Sequence, residues 1–421
     1  MRVGILTQWF EPEPGGGALP GILARGLLER GHSVQVLTGF PNYPSGVVAP
    51  GYRISRFLDE SVDGFSVRRV ALYPNHGTSA IGRIANYASF GASAVISGLG
   101  ALRDVDAMWV YNSPITVTLP MWAAKISRRI PSVVHVMDLW PDSILLTGFA
   151  NRGAAFSGAE KVLNAWCNSM YQSAASVAYI SPSVGEVLRR RGVQAAKLAY
   201  APIWADETIY RPANHDLRAL LGIDESAVVL LYAGALGEAQ GLSTLIDACA
   251  EIADPRFVCL VAGSGASEES LRERARRSGA DCVRFLGRFP PDEMTALMAT
   301  SDLNYIGLRP HALSSMTIPS KTQASLASGR AILVSAPGDV AQVARESGAG
   351  WAVEPGDSRA VAVAIQAACK LGRHGLHAMG KKGRDYYQRT FSVDQGVSRI
   401  EALLERAAHT GPRPKLRSIQ R

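Results

Sequence analysis

A chain of 421 residues that is 47% hydrophobic and 19% charged can bury the cores of two domains and is too apolar to stay disordered. Its net charge of +8 is spread over short clusters such as KISRR (125–129) and RERARR (272–277). With no long basic run and no RNA-binding aromatic signature, this argues against nucleic acid and leaves an acidic ligand or an anionic membrane surface as partner. Five cysteines (Cys167, Cys249, Cys259, Cys282, Cys369) form no close pair, which argues for reduced thiols in a cytoplasm and against a structural zinc.

MRVGILTQWF enters a strand at residues 2–7 without a signal-peptide pattern. The loop EPEPGGGALPG follows, then a helix over about 22–30 and a second strand over 33–38. This is a βαβ unit with a glycine-rich first turn. It is not a dinucleotide fingerprint, because Pro20 stands where the third glycine belongs. Gly15, Gly16 and Gly17 permit close backbone approach to a ligand. Residues 39–64 read as turns, and 65–70 as a strand. Residues 85–102 are uncharged and rich in Gly, Ala and Ser, which reads as a buried or interfacial helix. DVD at 104–106 reads as a solvated turn. Strands at 107–112, 132–137 and 174–181 continue the alternation, with a helix at 117–129.

Residues 199–216 break the rhythm with Pro202 and Pro212 and no periodicity, which marks a domain boundary. Strands then recur at 228–233, 256–263, 282–287, 303–308, 331–335 and 350–354, with helices between them and a last helix at 379–408. This density of alternation predicts a doubly wound parallel sheet in each half, with ligands at the carboxyl ends of the strands. The expected domains are 1–200, with the 379–408 helix packing back towards it, and 201–378. A basic disordered tail is expected at 409–421. Within TIPSKTQASLASGRAILVS (317–335), Ser320 is the expected N-cap, and Lys321 adds an ammonium to the free N–H groups of a helix start. That combination suits a phosphate.

The motifs EPEPGGGALPG, VVHVMDLWPDS (133–143), YAGALGEAQGLSTLIDA (232–248), VAGSGASEESLRE (261–273), FLGRFPPDEM (285–294) and PSKTQASLASGRAIL (319–333) together resemble the retaining glycosyltransferase family four. VMDLWP with PSK looks most like the subgroup that builds bacterial surface polysaccharides. The resemblance implies a GT-B fold, α/β with two Rossmann-like domains facing across a cleft, and a nucleotide-sugar donor without cofactor or metal. The acceptor it implies is a glycan or polyprenyl-diphosphate-linked glycan at the inner membrane surface. The transferred sugar would be an N-acetylated hexosamine or deoxyhexosamine.

By the same resemblance the donor diphosphate meets Ser320, Lys321, Arg309, Gly234 and Gly237, and the nucleoside meets Gly263, Gly265, Arg288 and Phe289. Gly15, Gly16 and Gly17 border the acceptor and the donor phosphate, and Trp140 and Asp142 line the acceptor side. Asp138, ending a buried strand, is the candidate catalytic carboxylate, able to bond sugar hydroxyls or take part in proton transfer. His135 is read as packed in the sheet. The family's two glutamates fall on Met316 and Ala324. Its loop arginine falls on Ala235 or Leu236, and its lysine on Gln240. Ala324 cannot hydrogen-bond a ribose, which keeps open a non-catalytic GT-B-shaped partner that binds sugar nucleotide or a sister transferase without turnover. A nucleotide-sugar 2-epimerase and a transferase to a natural product are the other readings.

Overall fold

The computed structural model describes residues 1–77, 79–142 and 154–410. Two compact units divide the chain: Met1–Pro202 with Gly396–Arg421, and Ile203–Gln395. The expected tail lies outside the described residues from 411 onward.

The first unit opens with β1 (Arg2–Leu6), α1 (Ala18–Glu29) and β2 (Ser33–Gly39). The three glycines form a single 3-10 turn, Gly15–Gly17, that leads straight into α1, so the helix starts four residues earlier than the sequence pattern predicts. A hairpin of β3 (Phe57–Val62) and β4 (Phe65–Val70) follows. Its first strand falls in the segment read as turns, because on this sheet edge none of its six residues is buried and no apolar face reveals it. Then come α2 (Ala80–Ser93), β5 (Ala107–Tyr111), α3 (Thr118–Arg128), β6 (Ser132–Val136), α4 (Ala154–Ser173), β7 (Ser176–Tyr179), α5 (Pro182–Arg190) and β8 (Leu198–Tyr200). The eight strands lie in the order β3-β4-β2-β1-β5-β6-β7-β8, and only the β3–β4 pair is antiparallel. Successive strands run outward in opposite directions from the β1/β5 neighbours, which makes that pair the topological switch point.

The second unit has six parallel strands: β9 (Val228–Ala233), β10 (Phe257–Ala262), β11 (Val283–Gly287), β12 (Leu303–Gly307), β13 (Ala331–Ser335) and β14 (Gly350–Val353). Between them run α6 (Leu242–Ala250), α7 (Glu268–Ser278), α8 (Met294–Thr300), α9 (Ser320–Ala327) and α10 (Asp339–Ser347). The order β11-β10-β9-β12-β13-β14 places the switch point between β9 and β12. Those two strands pair only at Leu303–Leu230 and Asn304–Leu231. Alternate residues fill opposite faces: Leu230, Cys259, Leu303 and Leu333 on one side, Val229, Val258 and Leu260 on the other. Burial on both faces is why these strands read as unbroken apolar runs.

The predicted helix at 358–371 ends at Gly372, where φ is 69° and ψ is 174°, and a second helical stretch follows it directly, so that α11 (Ser358–Thr390) is two helices meeting at a kink. The predicted 379–408 helix is divided instead of continuous. The last helix, α12 (Val393–Thr410), is separate, and from Gly396 it belongs to the first unit. There Val397 packs against Gly26 of α1, and Glu401 bonds both Arg30 at 2.8 Å and His32 at 2.6 Å.

Candidate functional site

In the second unit the predicted diphosphate residues converge at the β9/β12 switch point. Pro319, not Ser320, is the N-cap of α9, so exposed Ser320 is its first helical residue. Proline there leaves the N-terminal N–H groups without a capping side chain. Lys321 folds back from this turn across β9, and its Nζ lies 4.0 Å from the centre of the Tyr232 ring. The phenol is itself held, its hydroxyl donating to the Ala235 carbonyl at 2.6 Å.

Gly234 keeps the space beside the ammonium open. Its φ of +147° suits glycine, and an added Cβ would stand 3.3 Å from Lys321 Nζ. Among the described residues the ammonium has no carboxylate partner, and burial pushes its pKa down to about 8. A cation held out of water against a π face, with no counter-charge, is an unfinished anion site.

The other predicted residues of this unit divide. Arg309 is exposed on the loop after β12, paired at 3.3 Å with Glu238, and its own N–H reaches the Ala239 carbonyl at 2.8 Å. Gly237 donates its N–H to Gln240 Oε1 at 3.1 Å, so the glutamine at the family's lysine position shapes the loop from within. Gly263 and Gly265 serve packing between loops. A Cβ on Gly263 would fall 1.8 Å from the Gly234 carbonyl oxygen, and one on Gly265 would fall 2.4 Å from that of Leu236. Arg288 is exposed and bonds Ser264 Oγ at 3.2 Å, and Phe289 packs on the core beside α8. Met316 ends the 3-10 turn Ser314–Met316, and Ala324 is buried within α9.

In the first unit Asp138 follows β6 at the carboxyl edge of the sheet. Asn112 fixes it through the backbone, accepting from the N–H groups of Met137 (2.8 Å) and Asp138 (3.4 Å) and donating to the Asp138 carbonyl (3.2 Å). Ser113 Oγ donates to the carboxylate at 2.5 Å. The side chain is open to solvent but set in a recess crowded by protein. That crowding raises its pKa, against the opposing pull of the Ser113 hydroxyl.

His135 is inside the sheet as read. Its Nε2 contacts the Ala201 carbonyl at 2.7 Å, and burial pushes its pKa down to about 4. Trp140 is 7% exposed, and Arg191 holds its carbonyl (2.7 Å) while bonding the Asp142 carboxylate.

Glu13 is the residue that sequence reasoning passes over. It is 5% exposed, accepts from the N–H groups of Asn42 (2.7 Å), Tyr43 (2.8 Å) and Phe10 (3.1 Å), and so ties the loop after β1 to the loop after β2. Its burial raises its pKa against those three bonds. Only its setting in EPEPGGG hints at this, since a carboxylate beside glycines has N–H groups within reach. Among the described residues, one group could offer ligands to a cation: His32, Glu401 and Glu405, with ligand atoms within 4.8 Å of one another. Arg30 already shares Glu401, so a cation there meets a guanidinium.

Comparisons with known proteins divide the chain as the two units do. A family described as "Glycosyl transferase 4-like domain" matches residues 19–204, and "Glycosyl transferases group 1" matches residues 227–370. An Escherichia coli K12 protein, provisionally named colanic acid biosynthesis glycosyl transferase WcaI, is 26% identical over 94% of this chain and 97% of that protein. The Anabaena protein Alr3699/HepE, solved in complex with UDP, superposes with a TM-score of 0.69 at 17% identity, over 96% of this chain and all of that one. Sucrose-phosphate synthase of Thermosynechococcus elongatus gives 0.68 at 18%, over 96% and 98%. The chain is therefore a glycosyltransferase, built from two parallel-sheet α/β units of the GT-B type.

Proposed function

We propose that this glycosyltransferase takes a nucleoside-diphosphate sugar in its second unit and moves the sugar, with retained configuration, to a glycan acceptor taken by the first. The single observation that carries the donor side is the uncompensated Lys321 ammonium on the Tyr232 face, at the start of α9. A diphosphate supplies the charge this position lacks, and Ser320 with the first N–H groups of α9 supplies hydrogen bonds. As the bond from the anomeric carbon to phosphate breaks, its electron pair moves to the leaving oxygen. Preorganised donors stabilise that charge without reorganising. The acceptor hydroxyl forms the new bond and gives up its proton. Asp138, with a raised pKa and a fixed backbone, is the carboxylate suited to bond a hydroxyl or receive a proton. Arg309, Gly237, Arg288 and Phe289 surround the donor in this reading, and Gly263 and Gly265 hold the loops that face it.

Surface-polysaccharide synthesis is supported by the relative's name, and transfer of an N-acetylated hexosamine or deoxyhexosamine by the VMDLWP and PSK motifs. A lipid-linked acceptor at the inner membrane surface is supported by α2 and the turns after it. Ile81, Ile84 and Ile96 are 80%, 64% and 72% exposed, and with exposed Ala88 and Ala92 they form a stripe at helical spacing. No helix among the described residues is long and apolar enough to cross a membrane.

Calorimetric titration of UDP, dTDP and GDP, on the wild type and Lys321→Ala, tests the donor site. One nucleotide binds, and the substitution weakens it by about 1.5–3 kcal/mol, the worth of a charge-assisted hydrogen bond. Absence of binding at millimolar nucleotide supports the second reading, a non-catalytic partner, which Ala324 at the family's glutamate position favours. NMR of the product's anomeric centre checks retention.

A further inference from the structure

At the switch point of the first sheet, five rings from five segments meet. Trp9, on the loop after β1, has Tyr43 at 5.8 Å, Tyr87 and Tyr111 at 6.4 Å and His76 at 6.5 Å, centre to centre. Tyr43 and His76 stand edge to face at 5.3 Å. Burial is graded across the group: Tyr111, ending β5, is buried, Trp9, Tyr87 and His76 are half-buried, and Tyr43 is 41% exposed. Among the described residues Trp9 Nε1 and His76 Nε2, both buried atoms, find no hydrogen-bond partner. Burial raises the phenols of Tyr87 and Tyr111, and the Asp138 carboxylate is close enough for its charge to add to the rise.

Rings collected only to fill a core would be fully covered and have apolar rims. These open towards solvent beside a carboxylate, and buried polar groups hold them in place. Glu13 bonds the backbone at Phe10, Asn42 and Tyr43, which fixes Trp9 and Tyr43 relative to each other. Gln8 donates to Asn86 at 2.6 Å, and Asn86 donates to Asn42 at 3.2 Å and to the Tyr73 carbonyl at 2.7 Å. That chain fixes α2, and with it Tyr87, to the same two loops. Such investment is the mark of a preorganised binding surface. A pyranose presents an apolar C–H face rimmed by hydroxyls. It matches a flat aromatic face with a carboxylate at its edge.

We infer that this recess is the acceptor's sugar subsite: a pyranose ring lies on Trp9 and Tyr43 with a hydroxyl directed at Asp138. The inference rests on the reading that the first unit takes a glycan. It moves acceptor recognition from Trp140 and Asp142, which are buried or paired, to the rings around Trp9.

The test uses the full chain, with p-nitrophenyl glycosides of glucose, galactose, N-acetylglucosamine, N-acetylgalactosamine and fucose as probes. Saturation-transfer NMR and quenching of tryptophan fluorescence report binding, and UDP binding and thermal unfolding are followed in parallel. At least one glycoside binds the wild type, and Trp9→Ala and Tyr43→Ala each weaken it tenfold or more. Tyr43→Phe retains it, and UDP affinity is unchanged in all three. Tyr43 is exposed enough that its alanine variant folds even if Trp9→Ala does not. Undiminished glycoside binding in a folded Tyr43→Ala overturns the subsite and leaves the glycan-acceptor reading standing. A wild type that binds UDP but none of the glycosides overturns both the subsite and the glycan acceptor, while the donor site survives.

Discussion

Lys321 makes the donor site answer to pH. Burial moves its ammonium from 10.5 to about 8, a cost to the charged form of about 3 kcal/mol at roughly 1.36 kcal/mol per pH unit. A diphosphate beside it favours the charged form and raises the pKa in the complex. The sign follows: below pH 8 the ammonium is already charged and affinity is level in this group, and above pH 8 binding must first take up a proton. Affinity for the nucleoside diphosphate then falls by up to about tenfold per pH unit, until the pKa of the complex is reached. Calorimetry between pH 7 and 9.5 in two buffers of different ionisation enthalpy reads both the fall and the proton uptake. Lys321→Met binds more weakly, by about 10- to 150-fold from the worth of a charge-assisted hydrogen bond, and loses the slope. A wild-type affinity that stays flat over this range, or a slope that persists in Lys321→Met, refutes the argument.

Three further outcomes are expected. Asp138→Asn keeps the shape but removes the proton acceptor, so transfer falls by about 10²–10⁴-fold with nucleotide affinity unchanged; steady-state kinetics on a working acceptor pair reads it, and an unaltered rate removes Asp138 from the chemistry. Arg218 is fully buried, bonding Asp302 at 2.6 Å and the carbonyls of Asp224 and Ala227. Arg218→Met leaves that carboxylate only the Arg373 guanidinium, 3.3 Å away, and costs about 3–5 kcal/mol in urea unfolding, whereas a loss under about 1 kcal/mol would show that Arg373 suffices. Replacing Ile81, Ile84 and Ile96 together by serine abolishes co-sedimentation with anionic phospholipid vesicles, at unchanged thermal stability because all three are exposed; retained sedimentation would place lipid contact elsewhere.

Much of this protein is written in local sequence. Runs such as VVLLYA and AILVS declare strands covered on both faces, because no alternation survives when both sides are buried. The proposal of Lys321 as a phosphate partner starts from local sequence, because a helix start and its side chain are neighbours in the chain. Gly372 is legible in the same way, since the apolar pattern of the 358–371 helix stops there and the backbone turns non-helical at that glycine. The residues that matter around Asp138 could not be read at all. Asn112 lies 26 positions from it, and Glu13 lies 29 from Asn42 and 30 from Tyr43. Nothing local distinguishes Trp9 from a core tryptophan, nor Glu13 from a solvated loop acid. A parallel sheet gathers the ends of non-consecutive strands at one edge, so its site is assembled from loops far apart in sequence. Composition, periodicity and motif determined the two α/β halves and the helix that starts at Ser320. Strand order alone decided which rings meet at Trp9, which carboxylate stays open and which is spent on Arg191.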